Sequence, residues 1–248
     1  MCRTCLDRRS FLRLGALGAP ALVAGCDGPP DLVSDAEVER MGLEAWEQIR
    51  GKSAVSRNGD YQQALDAVSR TLLASAGEAP EDWEILVFAD PQINAFALPG
   101  RKIGVYEGMF EVTANPDQLA AIVGHEIGHL GAEHAQKRMS AQLAKTAGLQ
   151  ILSWILNVGD VQYAAEIAAA LGVGVEVGLI LPYGRDQELE ADRLGLVAMD
   201  QAGFDAREAV PLWQNMQRAQ SRRTPEFLAT HPTPESRIRE LEDILATL

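Results

Sequence analysis

The chain has 248 residues, enough for one large domain or two small ones with a sizeable core. Its hydrophobic content of 47% is ordinary for a globular protein, and its formal net charge is -13. This charge disfavours a nucleic-acid partner, because phosphates are bound by clusters of Lys and Arg. The sequence has no basic run beyond its N-terminal end, so we expect no nucleic acid among its partners.

The first 25 residues have the pattern of an export signal and not of a folded element. A pair of arginines at positions 8–9, followed by Ser-Phe-Leu, resembles a twin-arginine signal. The apolar run that follows, residues 14–24, is shorter than the roughly 20 residues that a transmembrane helix needs. The run ends in Leu-Val-Ala-Gly-Cys, which resembles a bacterial lipobox in which Cys26 is the lipidated residue.

This interpretation predicts three segments and a location. Residues 1–25 would be the signal peptide, 26–33 a lipidated tether and 34–248 a single folded domain. The protein would then be exported to the cell envelope of a bacterium and anchored through lipid on the periplasmic side, so that the membrane is one of its partners. Asp27, directly after the lipidated cysteine, resembles an inner-membrane retention signal and favours the inner membrane over the outer one.

Patterning of the first half predicts helices followed by a small sheet. Apolar residues recur at helical spacing over residues 34–76. Strands are expected at 83–88 and 103–106, with a third strand and a turn between them in residues 91–100.

The second half is predicted to be helical. Helical spacing indicates four ranges: 116–143, 187–202, 207–220 and 235–248. Residues 147–181 are apolar and rich in Ala and Gly, but polar residues interrupt them. We favour a buried helical hairpin there over a segment that dips into the membrane.

The most informative motif is His125-Glu126-Ile127-Gly128-His129. Residues four apart share a helix face, so His125 and His129 can direct two imidazoles at one ion. Glu126 stands beside the first ligand, where a carboxylate can take a proton from metal-bound water. His and Glu at these spacings also occur on solvated helix faces, but capping residues support a buried helix here: Asn115, Pro116 and Gln118.

A catalytic zinc ion usually has three protein ligands and a water, so the motif leaves one ligand to be found. His134 would have to fold back past the helix end, and we expect it to be an ordinary surface or core histidine. Glu188 and Asp192 share a face of a later helix, at a spacing that suits a third ligand and a carboxylate behind a ligand histidine. Glu190 points about 200° away around that helix and is the weaker candidate.

Four ordered motifs carry a resemblance to a known family. They are Asn94–Gly100, the His125–His129 motif, Glu188–Asp192, and His231-Pro232 followed by Arg237. Together they resemble the HtpX and CaaX-prenyl-protease type of zinc endopeptidase, metallopeptidase family 48, which are gluzincins. The resemblance spans residues 35–245 and is closest to exported, BepA- and LoiP-like lipoprotein members, since the sequence lacks the clear multiple spans of the membrane-embedded branch.

The resemblance implies a fold and a ligand set. The fold would be α+β, a mostly helical zincin-like metalloprotease domain with a small three-stranded sheet beside the active-site helix. His125, His129 and Glu188 would bind one Zn²⁺ per chain, and Glu126 would be the general base. His231 would stabilise the oxyanion.

The resemblance also implies supporting roles. Asp192 would orient a ligand histidine, and Arg237 would hold either His231 or the acidic residues in place. Tyr183 and Arg185 are further available donors to the oxyanion. Substrate backbone would lie along an edge strand formed by Asn94, Ala95, Phe96 and Ala97.

These expectations combine into a zinc-dependent metalloendopeptidase that hydrolyses protein or peptide substrates, such as misfolded or envelope proteins, by Glu-assisted attack of zinc-bound water. The competing hypothesis is a catalytically silent chaperone-like or binding lipoprotein on the same fold. A purely structural zinc is a weaker alternative, because structural sites are usually closed by four ligands rich in cysteine. Apart from Cys26, no thiol would remain after signal cleavage.

Overall fold

The computed structural model describes residues 32–143, 184–220, 227–228, 231 and 237–248. The predicted signal peptide, Cys26 and the predicted hairpin at 147–181 lie outside these residues, as does Tyr183. Among the helices described, none combines the length and the apolar character that crossing a bilayer would need.

The region predicted as helical over residues 34–76 forms two helices. Helix α1 spans Asp35–Lys52 and is capped by the side chain of Ser34, whereas α2 spans Gly59–Ser75 and is capped by that of Asn58. Between them the chain is extended, and Val55 forms an isolated bridge to Phe88. The segment between the two helices is therefore attached to the sheet through this bridge.

Three strands form a mixed sheet, as predicted. They are β1 Glu84–Phe88, β2 Ala95–Leu98 and β3 Lys102–Tyr106. The order is β1-β3-β2, with β1 parallel and β2 antiparallel to β3. Gly100 and Arg101 make the β2–β3 turn with φ of 89° and 61°. Strand β2 is consequently an edge of the sheet.

An aromatic cluster holds β2 on one face of this sheet. The ring of Phe96 lies 6.1 Å from those of Trp46 and Phe88 and 5.9 Å from that of Tyr106, between centroids. A Cβ on Gly104, the partner of Phe96 in β3, would come within 2.3 Å of the Phe96 ring. Only glycine leaves room for this ring, so the cluster fixes the edge strand.

Helix α3, Pro116–Gly131, carries the His-Glu motif and lies in the core. Its N-cap is confirmed: Asn115 accepts a 2.8 Å hydrogen bond from the backbone of Gln118, whose own side chain accepts one from Ala114. The predicted single helix over 116–143 is wrong, because α3 ends at Gly131 and helical structure resumes over 134–143. Glu133, with φ of 55°, makes the turn.

Three further helices complete the described fold. They are α4 Arg185–Gln201, α5 Ala209–Gln220 and α6 Arg237–Leu245. Helix α3 packs most extensively against α4 and also contacts α2, β2 and α5. The main core is made of apolar side chains from all these elements, among them Leu65, Leu72, Val87, Ile103, Val123, Met199 and Leu212. The predicted α+β class with a small sheet beside the motif helix is confirmed.

Candidate metal centre

Small residues bring α3 and α4 into unusually close contact beside the motif. A Cβ on Gly128 would lie 2.7 Å from the carbonyl oxygen of Ala191, and one on Gly195 would lie 2.8 Å from the backbone nitrogen of His125. Real Cβ atoms do not approach so closely, so these positions require glycine. The contact places Glu188 of α4 directly opposite the two motif histidines.

Four buried side chains converge at this contact: His125, His129, Glu188 and His231. These four side chains are called the metal cluster below. Nε2 of His125 lies 3.0 Å from Nε2 of His129 and 3.2 Å from Nδ1 of His231. Oε1 of Glu188 lies 3.4 Å from Nε2 of His129 and 3.1 Å from Nδ1 of His231. A tetrahedral ion with bonds of about 2.0–2.1 Å separates its ligand atoms by about 3.3 Å. The four side chains therefore fit a zinc-sized ion.

Two charged side chains, Asp192 and Arg237, lie directly behind these four residues. Asp192 accepts from Nδ1 of His125 at 2.9 Å, as the one-turn spacing from Glu188 predicted. The guanidinium of Arg237 donates to both oxygens of Asp192, at 2.7 and 2.6 Å, and to Glu188 at 2.7 Å. Of the two roles considered for Arg237, it holds the acidic residues in place. The indole of Trp213, 3.8 Å from the guanidinium carbon, covers its face.

The charges shift the pKa values of the carboxylates. Burial opposes ionisation of Asp192, but Arg237 outweighs it and lowers the pKa of Asp192. Burial also opposes ionisation of Glu188, but its contacts with His125, His129 and His231 hold its pKa well below its usual range. Both groups are therefore anions, and ligand carboxylates must be anionic.

The surroundings shift the pKa values of the two motif histidines in opposite directions. Burial disfavours the charged form of His125, but Asp192 and Glu188 outweigh it and raise its pKa to about 9. Burial and the nearby charge of His125 lower the pKa of His129 to about 2. The carboxylates of Glu188 and Asp192 share one guanidinium, that of Arg237, which leaves one negative charge unbalanced. A divalent cation would balance that charge, which is a second reason to expect a metal here.

Glu126 lies between the metal cluster and the edge strand. It is 3% exposed, and burial raises its pKa. Oε2 accepts a 3.2 Å hydrogen bond from the backbone of Ala97. Oε1 accepts no hydrogen bond from the described residues and lies 3.4 Å from Nε2 of His231. A general base needs a carboxylate oxygen that faces the metal site and is free to take a proton from water. Oε1 of Glu126 meets this requirement.

His231 is held to the edge strand through Phe227. The two rings stack with centroids 4.3 Å apart, and the backbone of His231 donates to the carbonyl of Phe227 at 2.8 Å. Phe227 in turn donates to the carbonyl of Ile93, just before β2, at 3.1 Å. The position of His231 is thereby coupled to that of the strand.

The predicted substrate segment lies in or directly before β2, which pairs only with β3 among the described residues. The carbonyl of Asn94 accepts from Tyr106 of β3, and its side chain caps the backbone of Ala95. Phe96 turns its ring to the aromatic cluster. The backbone N–H of Ala97 points outward to Glu126 and not to β3.

Several residues at the site were not found by sequence reasoning. The expectation that His134 is a surface or core histidine agrees with its fully buried side chain, but the contact of its ring with His129 was not predicted. Burial lowers its pKa. Trp213 and Phe227 stood in no motif. The small residues four apart on α3 and α4 were a usable signal for close helix packing. Arg185, considered as an oxyanion donor, pairs with Glu240.

Comparison with known proteins agrees with this geometry. The model of peptidase family M48 matches residues 60–245. The mitochondrial metalloendopeptidase OMA1 of Schizosaccharomyces pombe is 32% identical over 212 residues, which cover 84% of this chain and 60% of that protein. The beta-barrel assembly-enhancing protease of Escherichia coli is 28% identical over 239 residues, covering 90% of this chain and 48% of that protein.

The corresponding OMA1 of Bos taurus is 31% identical over 219 residues, or 84% of this chain and 42% of that protein. The chain spans about half the length of these relatives. The family match nevertheless covers most of the chain, including every motif of the metal cluster. The chain belongs to peptidase family M48.

Proposed function

We propose that this protein is a zinc-dependent metalloendopeptidase. The observation that carries the proposal is the position of Glu126, buried between four potential metal ligands and an edge strand, with one carboxylate oxygen unsatisfied among the described residues. A structural site would need no such base. His125, His129 and Glu188 would hold the zinc ion.

Each residue has a defined task in peptide hydrolysis. When bound, the zinc ion would supply Lewis acidity, which lowers the pKa of a coordinated water toward about 7. Glu126 takes the proton of the attacking water on Oε1, which accepts no hydrogen bond from the described residues, and passes it to the leaving amine. His231 donates from Nε2 to the developing oxyanion. Asp192 and Arg237 keep His125 and Glu188 in place.

The substrate would bind as an extra strand on β2. An edge strand presents unpaired N–H and C=O groups, and an extended peptide can satisfy them. The outward N–H of Ala97 is adjacent to Glu126, so a peptide paired with β2 would pass the base and the metal. Backbone recognition of this kind suits unfolded segments, which supports misfolded or envelope proteins as substrates.

We further propose that the protein acts in the bacterial cell envelope, anchored by lipid at Cys26 after export through a twin-arginine signal. Support comes from the lipobox-like sequence and from the similarity of the chain to bacterial beta-barrel assembly-enhancing proteases. The net charge of -13 supports the expectation of no nucleic-acid partner.

Cleavage of unfolded casein tests the activity. We expect the zinc-loaded protein to cleave casein, a chelator to abolish cleavage and added zinc to restore it. Binding of casein without cleavage, with zinc present, would favour the silent chaperone-like alternative. Cleavage that persists after complete metal removal would refute the proposal.

A further inference from the structure

His134 lies against the metal cluster without belonging to it. Its Nδ1 is 2.8 Å from Nδ1 of His129, and its Nε2 is 3.1 Å from Oε2 of Glu190 on α4. The His134 side chain is fully buried, whereas that of Glu190 is 53% exposed. These three side chains form a chain of hydrogen bonds from the metal cluster to the protein surface.

The backbone is shaped to make this contact. Helix α3 ends at Gly131, and Glu133 then adopts φ of 55°, in the left-handed region that residues of its type rarely enter. The turn folds the chain back, so that His134 returns to His129 five residues earlier. The next helical segment then begins at His134 and is held to the start of α1, because Gln136 donates to the carbonyl of Val33 at 2.9 Å.

The hydrogen bonds have only one direction that permits metal binding. A carboxylate accepts, so Nε2 of a neutral His134 carries its hydrogen toward Glu190 and Nδ1 keeps a lone pair. That lone pair accepts from Nδ1–H of His129. Nε2 of His129 is then free of hydrogen, and this nitrogen faces the cluster, 3.0 Å from Nε2 of His125. The opposite direction would place the hydrogen on the nitrogen that must bind the metal.

We propose that His134, oriented by Glu190, is a positioning residue that fixes the tautomer and ring orientation in which His129 binds the metal. It does for His129 what Asp192 does for His125. The inference rests on the proposed metal site. Loss of such a partner behind a ligand typically weakens metal affinity about 10- to 100-fold.

Two substitutions separate this role from packing. In His134→Asn the amide oxygen can take the place of Nδ1 as acceptor, although the side chain is smaller. In His134→Leu the volume is better kept, but no acceptor remains. We expect His134→Leu to weaken zinc affinity about 10- to 100-fold, measured by competition with a chromophoric chelator, and His134→Asn to restore most of it. Wild-type affinity in His134→Leu, or the reverse order, would overturn the proposal.

The cobalt-substituted protein provides a second readout, since its visible absorption reports ligand geometry. We expect the spectrum to change in His134→Leu and to return in His134→Asn; an unchanged spectrum in His134→Leu would contradict the proposal. If zinc binds to the wild type and equally to His134→Leu, only the role of His134 fails. If the wild type binds no zinc, the proposed function fails.

Glu190 provides a test that leaves the buried ring intact, should His134→Leu not fold. Glu190→Ala removes the acceptor at the surface end, and Asp186→Ala removes an exposed carboxylate of the same helix as a matched control. We expect zinc affinity to fall in Glu190→Ala, by less than in His134→Leu because Glu190 is half exposed, and to stay unchanged in Asp186→Ala. Equal affinities in the two variants would contradict the proposal.

Discussion

Two glutamates on α4 show how about half a turn of helix separates a proposed metal ligand from a proposed positioning residue. Glu188 is 2% exposed, with both oxygens directed at the metal cluster and Arg237. Glu190 lies on the opposite side and reaches His134 instead. The helical spacing of the two residues predicted this difference, because positions two apart point about 200° away from each other.

Glu188→Ala should remove the metal. The substitution deletes a ligand and leaves Arg237 without one of its two carboxylate partners, so both the coordination and the charge balance are lost. Zinc content after dialysis, measured by atomic absorption, is expected to fall to near zero, whereas Glu190→Ala should still carry the metal. Retention in Glu188→Ala together with loss in Glu190→Ala would reverse the assignment.

His231→Ala tests whether this histidine serves the transition state or the metal. If Nε2 donates to the oxyanion, kcat should fall about 10²- to 10³-fold with little change in zinc affinity. The alternative is that His231 binds the metal through Nδ1, which lies close to His125 and Glu188. Loss of zinc in His231→Ala would show that His231 is a metal ligand. An unchanged kcat would show that His231 only contributes to packing.

At the scale of elements, the site depends on how closely α3 approaches α4. The interface is formed by Gly124 and Gly128 against Ala191 and Gly195, residues four apart on each helix. Backbone meets backbone there with no side chain between. Glu188 can reach the motif histidines only because the two helix axes lie this near.

Gly128→Ala should force the helices apart. The added methyl group would lie 2.7 Å from a backbone oxygen of α4, and overpacking of this kind costs about 1–3 kcal/mol of stability. We expect a lower midpoint in chemical unfolding and weaker zinc binding in the same variant. Gly131→Ala on the same helix is the control, because nothing lies within 4 Å of its Cβ and it should keep both properties. Equal behaviour of the two variants would show that the close contact is unimportant.

Sequence reasoning found the elements that short-range patterns specify. Helix α3, its cap and the spacing of Glu188 and Asp192 follow from periodicity and from residues at most four positions apart. The break at Glu133 could not be predicted, since a non-glycine residue in a left-handed conformation is held by packing and leaves no local pattern. His134, Trp213 and Phe227 were missed for a related reason, because their contacts depend on how separate elements meet.

At the scale of the whole molecule, the proposed lipid anchor would precede the folded part directly. Helix α1 begins at Asp35, and residues 32–33 are already held by the helical segment after α3: Ser140 accepts from the backbone of Leu32 at 2.9 Å. A tether would therefore end before residue 32 and leave only a few residues between a lipid on Cys26 and the folded protein.

Cys26→Ser tests this location. Without the thiol no lipid can be attached, so the variant should stay unprocessed or leave the membrane fraction. Incorporation of labelled palmitate into the wild type, and none into the variant, is expected. A wild-type protein without label would refute the anchor, although it would leave the metal site unaffected.

The most direct test of the central claim is the rate at which zinc-loaded Glu126→Gln cleaves casein. The amide is nearly isosteric with the carboxylate but cannot take a proton, and Glu126 is not one of the four side chains that form the metal cluster. We expect zinc content equal to that of the wild type and a cleavage rate lower by at least about 10²- to 10⁴-fold. Cleavage at the wild-type rate by the purified, zinc-loaded variant would contradict the account.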